Sequence, residues 1–238
     1  MIIFKEKKLI FIKTAKTAGT TIEIILRKYT SSDDIITELP WKDELLRHTH
    51  GVDIAPKNHK VIRPKRWANL RGWIAGLIRV NFSKIPIQSL SSHATISEAH
   101  RLFPGTKEYQ SFAVSRCPYQ VHASAYSYMK RKHGNLKDYP SPDVWLQLYG
   151  PIVNFNLIEW DGEVPKTTII EYSNLTTVLP EYLSEYEFPR EDLHRDLNLI
   201  RAKSGSRSSN PEEMFSVESL DLITKANERE ISMYDYTP

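Results

Sequence analysis

Short runs of apolar, β-branched residues alternate along this chain with segments whose apolar positions recur every three or four residues. Leu9-Ile10-Phe11-Ile12 predicts a first strand near residues 8–13. A loop of small residues follows, and then Ile22, Ile25 and Leu26 mark one face of a helix near 20–29. Residues 41–50 (WKDELLRHTH) fit a short helix, and the Pro- and base-rich stretch 55–66 reads as loop with little regular structure. Trp67, Leu70, Trp73, Ile74, Leu77 and Ile78 lie at helical spacing across 67–82, although two interior glycines weaken that helix.

Thr95-Ile96-Ser97-Glu98 fits a capping box opening a helix to about Phe103, where Pro104-Gly105 stops it. Gln110–Ser115 (QSFAVS) predicts a buried strand, and Arg116-Cys117-Pro118 a turn into a helix running to about residue 131. Lys166–Tyr172 (KTTIIEY) predicts another buried strand, with Ser173 capping the helix after it. Polar residues 201–211 read as loop and 217–234 as a closing helix. Strands alternating with helices favour a mostly parallel central sheet flanked by helices, a three-layer α/β domain. The length of 238 residues fits one such domain, 1–238, without an internal repeat.

Composition narrows the function classes. A hydrophobic content of 40% with 26% charged residues is ordinary for a globular chain. The net charge of +3 does not imply a partner, so nucleic acid is not the expected one. One cysteine, Cys117, excludes an internal disulfide and most structural zinc sites. Lysines interrupt the apolar N-terminal run, and no apolar stretch reaches about 18 residues, which predicts a cytoplasmic, bacterial or viral protein.

The loop after the first strand carries the first candidate chemistry. Lys16-Thr17-Ala18-Gly19-Thr20-Thr21 stands between a strand and a helix, where unpaired helix N–H groups and the helix dipole hold anions. Gly19 permits close approach, Thr17, Thr20 and Thr21 offer hydroxyls, and Lys16 adds a mobile charge. The spacing is not G-x-x-x-x-G-K-[ST], because Lys16 precedes Gly19. The same string also fits an ordinary surface turn.

A second stretch, Phe112–Tyr128 (FAVSRCPYQVHASAYSY), places Arg116 at a strand's carboxyl end, where α/β folds bind ligands. Ser124 follows on the next helix; an arginine fork with a serine hydroxyl suits a phosphate monoester. Together these stretches resemble the PAPS-dependent sulfotransferases, whose 5′-phosphosulfate loop reads P-K-T-A/G-G-T-S and whose 3′-phosphate motif reads F-x-x-V-R-x-P-Y followed by S-x-Y. Ser92-His93-Ala94-Thr95 with Glu98 is similar to the H-A-T/S-x-x-E segment of bacterial and carbohydrate-type members. The C-terminal stretch from Leu197-Asn198 through Ser206-Arg207 to Ile231 and Tyr234 is loosely similar to the family's closing segment. Three positions depart from the pattern: Ala15 stands for the usual proline, Cys117 for an acid, and Val121 for an arginine.

The resemblance implies a P-loop-like fold and sulfuryl transfer from PAPS to an acceptor hydroxyl, leaving adenosine 3′,5′-bisphosphate. In that reading Lys16 stabilises the leaving phosphate, and the loop 16–21, Lys16, Thr17, Ala18, Gly19, Thr20 and Thr21, holds the 5′ end. No metal is needed in it, because the lysine and the helix terminus supply the positive field. Arg116 and Ser124 clamp the 3′ phosphate. His93 is the implied general base, with Glu98 in reserve, and Arg207 could reach the 3′ phosphate or acceptor. The acceptor implied is a carbohydrate.

Residues 54–97 contain no acid and eight bases (Lys57, Lys60, Arg63, Lys65, Arg66, Arg71, Arg79, Lys84), so 54–90 could be an acceptor-facing insertion or a peripheral membrane contact. It equally fits an amphipathic helix packed on the sheet. Two other functions stay open at this point: a P-loop nucleotide or adenylyl-sulfate kinase, and a non-catalytic nucleic-acid or membrane module using 57–84. Sequence leaves oligomeric state open.

Overall fold

Residues 1–62, 87–133, 139–160, 166–200 and 210–238 are described by the structure, a computed structural model. The chain opens with a hairpin, β1 (Ile2–Phe4) and β2 (Leu9–Ile12), paired antiparallel with Ile3 opposite Ile10. The first arm is unpredicted, since only four apolar residues, Met1 to Phe4, precede the charged turn Lys5–Lys8. Helix α1 (Gly19–Arg27) follows the loop, then β3 (Ile35–Ile36) and α2 (Trp41–Thr49).

Strand β4 (Lys60–Ile62) pairs antiparallel with β5 (Ile87–Ser89), which corrects the expected loop at residues 60–62, whose partner lies far along the chain. Residues 55–59 are irregular apart from a bridge between Lys57 and Ile36, and 63–66 lie outside the described residues. The helix expected over 67–82 and most of the base-rich stretch lie outside the described residues. Next come α3 (Ile96–Leu102), β6 (Gln110–Ser115), α4 (Pro118–His133), α5 (Pro142–Tyr149) and β7 (Thr167–Glu171). The chain ends with α6 (Leu175–Ser184), α7 (Arg190–Leu199), α8 (Pro211–Met214), α9 (Val217–Ala226) and α10 (Glu228–Tyr234). The expected closing helix is thus two helices, because Asn227 leaves helical geometry and joins them. Of the expected loop 201–211, residues 201–209 lie outside the described residues, and Pro211 already starts α8.

Five strands form one mixed sheet in the order β3-β1-β2-β6-β7. β2, β6 and β7 pair in parallel, while β1 runs against both of its neighbours. Alternate side chains serve opposite faces. Ile2, Phe4, Leu9, Phe11, Phe112, Val114 and Ile170 pack with α1, α6 and α7 on one face. Ile3, Ile10, Ile12 and Ala113 pack with Ile96, Ala99 and Leu102 of α3 and with Phe155 on the other. Phe11 and Phe112 stack across the parallel pair, ring centres 5.1 Å apart.

Strand β7 was expected to be buried, and it is the sheet's edge instead, with Thr168 exposed and Ile170 alone fully buried. Ser173 does not cap the following helix: its hydroxyl donates to the Glu171 carboxylate at 3.2 Å, and Asn174 precedes the helix without a side-chain cap. The capping box at Thr95 and Glu98 is present as predicted, with Glu98 N–H on Thr95 Oγ1 at 3.0 Å and Thr95 N–H on Glu98 Oε2 at 2.9 Å.

Beneath the first loop lies a buried carboxylate. Glu23 of α1 accepts from Lys13 Nζ at 2.9 Å and from Arg27 at 3.2 Å, all three side chains almost wholly shielded. Burial pushes the Glu23 carboxyl up, yet the neighbouring Met1 amine, Lys13 and Arg27 outweigh it and hold its pKa below the ordinary value; burial in turn lowers the Met1 amine to about 5. Removing one partner from such a group strands the others. Glu23→Gln should therefore cost about 3–5 kcal/mol in urea unfolding; a loss under about 1 kcal/mol would show that water already solvates these cations.

Candidate functional site

Ile12 sits opposite Ala113 in the parallel pairing of β2 with β6, so the two strands deliver their carboxyl ends side by side. The loop 13–18 leaves the first strand and Arg116 follows the second. Thr14 Oγ1 donates to the Val114 carbonyl at 2.6 Å, tying the loop's base to the neighbouring strand.

The two lysines of the loop part company. Lys13 turns inward to Glu23. Lys16 stays half-buried, with its ammonium 4.5 Å from the centre of the Tyr128 ring. Gly19 owes its place to Lys13: a Cβ there would stand 2.7 Å from Lys13 Cγ and 3.3 Å from the Thr14 carbonyl oxygen. The glycine makes room for the ion pair beneath the helix.

The loop backbone alternates in sign. Lys16 (φ 63°) and Ala18 (φ 61°) are left-handed, and Thr17 between them is not. Such alternation turns successive N–H groups toward one concave side, which suits an anion. Each left-handed non-glycine residue costs on the order of 1–3 kcal/mol, so the surroundings must impose it. Ala18 precedes α1 without a side-chain cap, so the loop ends at the helix's first N–H groups.

The threonines contribute less than their chemistry suggested. Thr17 is 1% exposed, and its hydroxyl meets Thr14 Oγ1 at 2.7 Å and the Thr14 carbonyl at 3.2 Å. Because Thr14 donates to Val114, the Thr17 proton is consumed inside the loop. Thr20 donates to Asp43 at 3.3 Å, and Thr21 is buried in the first turn. Of the loop's candidate anion donors, this leaves the backbone amides and Lys16.

Arg116 closes on this loop. Its Nη1 donates to the Lys16 carbonyl at 3.1 Å, its Nε reaches Gln120 at 3.4 Å, and its guanidinium lies 4.6 Å from the centre of the Tyr172 ring. Partial burial lowers its pKa, a desolvation that an anionic ligand would relieve. Gln120, Ser124 and Tyr128 succeed one another at four-residue spacing on α4, one face of a helix. Gln120 meets Arg116 and Tyr128 meets Lys16, and the buried Ser124 stands between Gln120 and Tyr128 along the helix. Tyr126, the tyrosine of the S-x-Y match, instead packs among Tyr139 and Trp145 and donates to the Pro140 carbonyl.

His93 reaches the loop from the other side. Its Nδ1 lies 2.8 Å from the Lys13 carbonyl, which can only accept, so Nδ1 carries the proton and Nε2 keeps a lone pair. Its outer edge is exposed, while burial of the inner edge and the nearby Lys13 charge lower its pKa. Glu98 is engaged in the capping box. Arg207 lies outside the described residues.

Asn154 was not anticipated. Its side chain is buried against the loop, Oδ1 accepting from the Ala15 N–H at 2.7 Å and Nδ2 donating to the Ala15 carbonyl at 3.0 Å. Below it, a small cavity is lined by Thr14, Ser115, Asn154, Glu230 and Tyr234. Burial raises the Glu230 pKa, and the carboxyl accepts from the Ser115 hydroxyl at 2.8 Å. Nothing local marks Asn154 in PIVNF, whereas the Gln120–Ser124–Tyr128 stripe was readable at helical spacing.

No protein-family model, curated protein or solved structure matches this chain. Among the described residues no helix is long and apolar enough to cross a membrane, and no three His, Cys, Asp or Glu are grouped to hold a metal ion.

His93 should titrate by NMR below the ordinary histidine value of about 6.5, with the Nδ1–H tautomer at neutral pH. The unfolded chain takes this proton first. His93's contribution to stability is therefore present above about pH 6.5 and lost as pH falls through the lowered folded value. A midpoint above about 7 would contradict the burial of its inner edge.

Proposed function

We propose that this chain is a PAPS-dependent sulfotransferase acting on an acceptor hydroxyl, most simply that of a carbohydrate. The observation that carries the reading is the closure of Arg116 on the Lys16 turn at adjacent parallel strand ends, with Ser124 one helical turn beyond Gln120, which Arg116 touches. Two cationic side chains beside a loop with left-handed residues at a helix start suit a ligand with phosphate groups at both ends. The side chains present fit such a nucleotide, and the domain then reads as P-loop-like. The single Cys117 accords with a reducing, cytoplasmic setting.

PAPS, when bound, supplies a sulfuryl group and a phosphate leaving group. Lys16 and the amides of residues 17–20 neutralise charge that gathers on the leaving oxygen, a preorganised field needing no metal. Arg116 and Ser124 grip a terminal phosphate monoester and so distinguish a 3′-phosphorylated nucleotide from ADP or ATP. His93 Nε2 takes the acceptor's hydroxyl proton as the new S–O bond forms and the S–O bond to phosphate breaks. A neutral imidazole with its inner nitrogen fixed on the Lys13 carbonyl is prepared for that task.

Calorimetric titration decides the ligand class. Adenosine 3′,5′-bisphosphate should bind at least about tenfold tighter than ADP, and Arg116→Ala should erase that preference, about 1.4 kcal/mol per tenfold. Equal affinity for both ligands, or a requirement for ATP with Mg²⁺, would overturn the reading in favour of a kinase. Indifference to both, with steeply salt-dependent nucleic-acid binding, would favour a binding module. With PAPS and an acceptor drawn from a saccharide panel, His93→Ala should lower kcat by about 10²–10⁴ while leaving bisphosphate affinity unchanged; near-normal turnover would remove His93 from the mechanism.

A further inference from the structure

The left-handed residues Lys16 and Ala18 need an external constraint, and the side-chain bridge from Asn154 is the feature placed to supply it. We propose that Asn154 is the positioning residue of the anion loop, locking Ala15 from both sides and thereby holding Lys16 and Ala18 in the geometry that turns the loop amides together. This rests on reading the loop as the anion site.

The carboxamide reads the backbone of Ala15 at both of its polar groups, N–H to Oδ1 at 2.7 Å and C=O to Nδ2 at 3.0 Å. Only one orientation of the amide satisfies both, since a flip would set donor against donor and acceptor against acceptor. The two contacts fix the peptide planes on either side of Ala15, immediately before the first left-handed residue. Proline, the usual residue at this place in the resembled motif, has no N–H to give. A proline restricts φ by its ring; here the same position is restrained by a side chain 139 residues away.

Asn154 is itself anchored. Its carbonyl accepts from Leu157 N–H at 3.0 Å, starting a turn over Phe155–Leu157 in which Phe155 is buried in the second core. Two residues earlier, the Ile152 N–H donates to Nε2 of the fully buried His122 at 2.8 Å, and His122 Nδ1 donates to the Pro118 carbonyl at 2.7 Å. The helix that carries Ser124 thus steadies the segment that steadies the loop. The Lys16 carbonyl receives its own restraint from Arg116, one residue beyond Ala15.

The test compares wild type, Asn154→Ala and Asn154→Asp by ¹⁵N relaxation and by titration with adenosine 3′,5′-bisphosphate. In Asn154→Ala, amide order parameters over residues 16–18 should fall from about 0.85 to below about 0.6, while those of β2 and β6 stay unchanged. Bisphosphate affinity should drop at least about tenfold. Asn154→Asp keeps an acceptor for the Ala15 N–H but loses the donor to its carbonyl, and should show the same affinity loss with a smaller loss of order. Should Asn154→Ala fail to fold, the nearly isosteric Asn154→Asp carries the comparison. Unchanged loop order in the variants, or equal loosening of the whole sheet, overturns the assignment. If wild type ignores the bisphosphate, the transferase reading fails, and the order parameters alone still judge Asn154.

Discussion

The parallel register that sets Ile12 against Ala113 governs everything at the carboxyl edge of this sheet. In a parallel pair the carboxyl ends of both strands emerge on one edge, so residues 13–18 and Arg116 meet although 100 residues separate Lys16 from Arg116. The register is held by interlocking apolar faces. Phe11 stacks on Phe112 on one side, and Ile12 joins Ala113 on the other. A shift by one residue would exchange the two faces and carry the loop away from the arginine.

Upon that edge the loop is built with opposed demands. Its left-handed residues store strain, and its positive charges repel. The buried Glu23 answers the second demand by drawing Lys13 inward, so the two lysines of the loop do not compete for one place. Glycine at position 19 follows, because the Lys13 stem fills the space a Cβ would need. The first demand is met by three tertiary contacts, Thr14 on Val114, Asn154 on Ala15 and Arg116 on the Lys16 carbonyl. Each comes from, or reaches to, a different element, so the loop's shape reports the integrity of the whole edge.

Much of the architecture was legible in the chain. The QSFAVS strand, the helix opening at Pro118 and the capping box at Thr95 sit where their residues put them, since each is specified by short-range rules of apolar runs, proline geometry and reciprocal caps. Readings that depended on a partner elsewhere went astray. Lys60–Ile62 looks irregular until β5 pairs with it, and β7 looks buried because nothing in KTTIIEY says that it ends the sheet. The site divides in the same way. Lys16, Gly19, Arg116 and Ser124 were visible as residue types after strands or on a helix, but the direction of the Thr17 hydroxyl and the reach of Asn154 were not.

Local sequence, then, determined where most strands and helices begin and which loop has the residue types that suit an anion, because those properties follow from spacing and backbone chemistry over a few residues. Tertiary structure alone decided which lysine points inward, which hydroxyls are consumed within the fold, and which distant asparagine grips the loop. Those choices depend on hydrogen-bond geometry between segments whose closeness is created only when the parallel strands align.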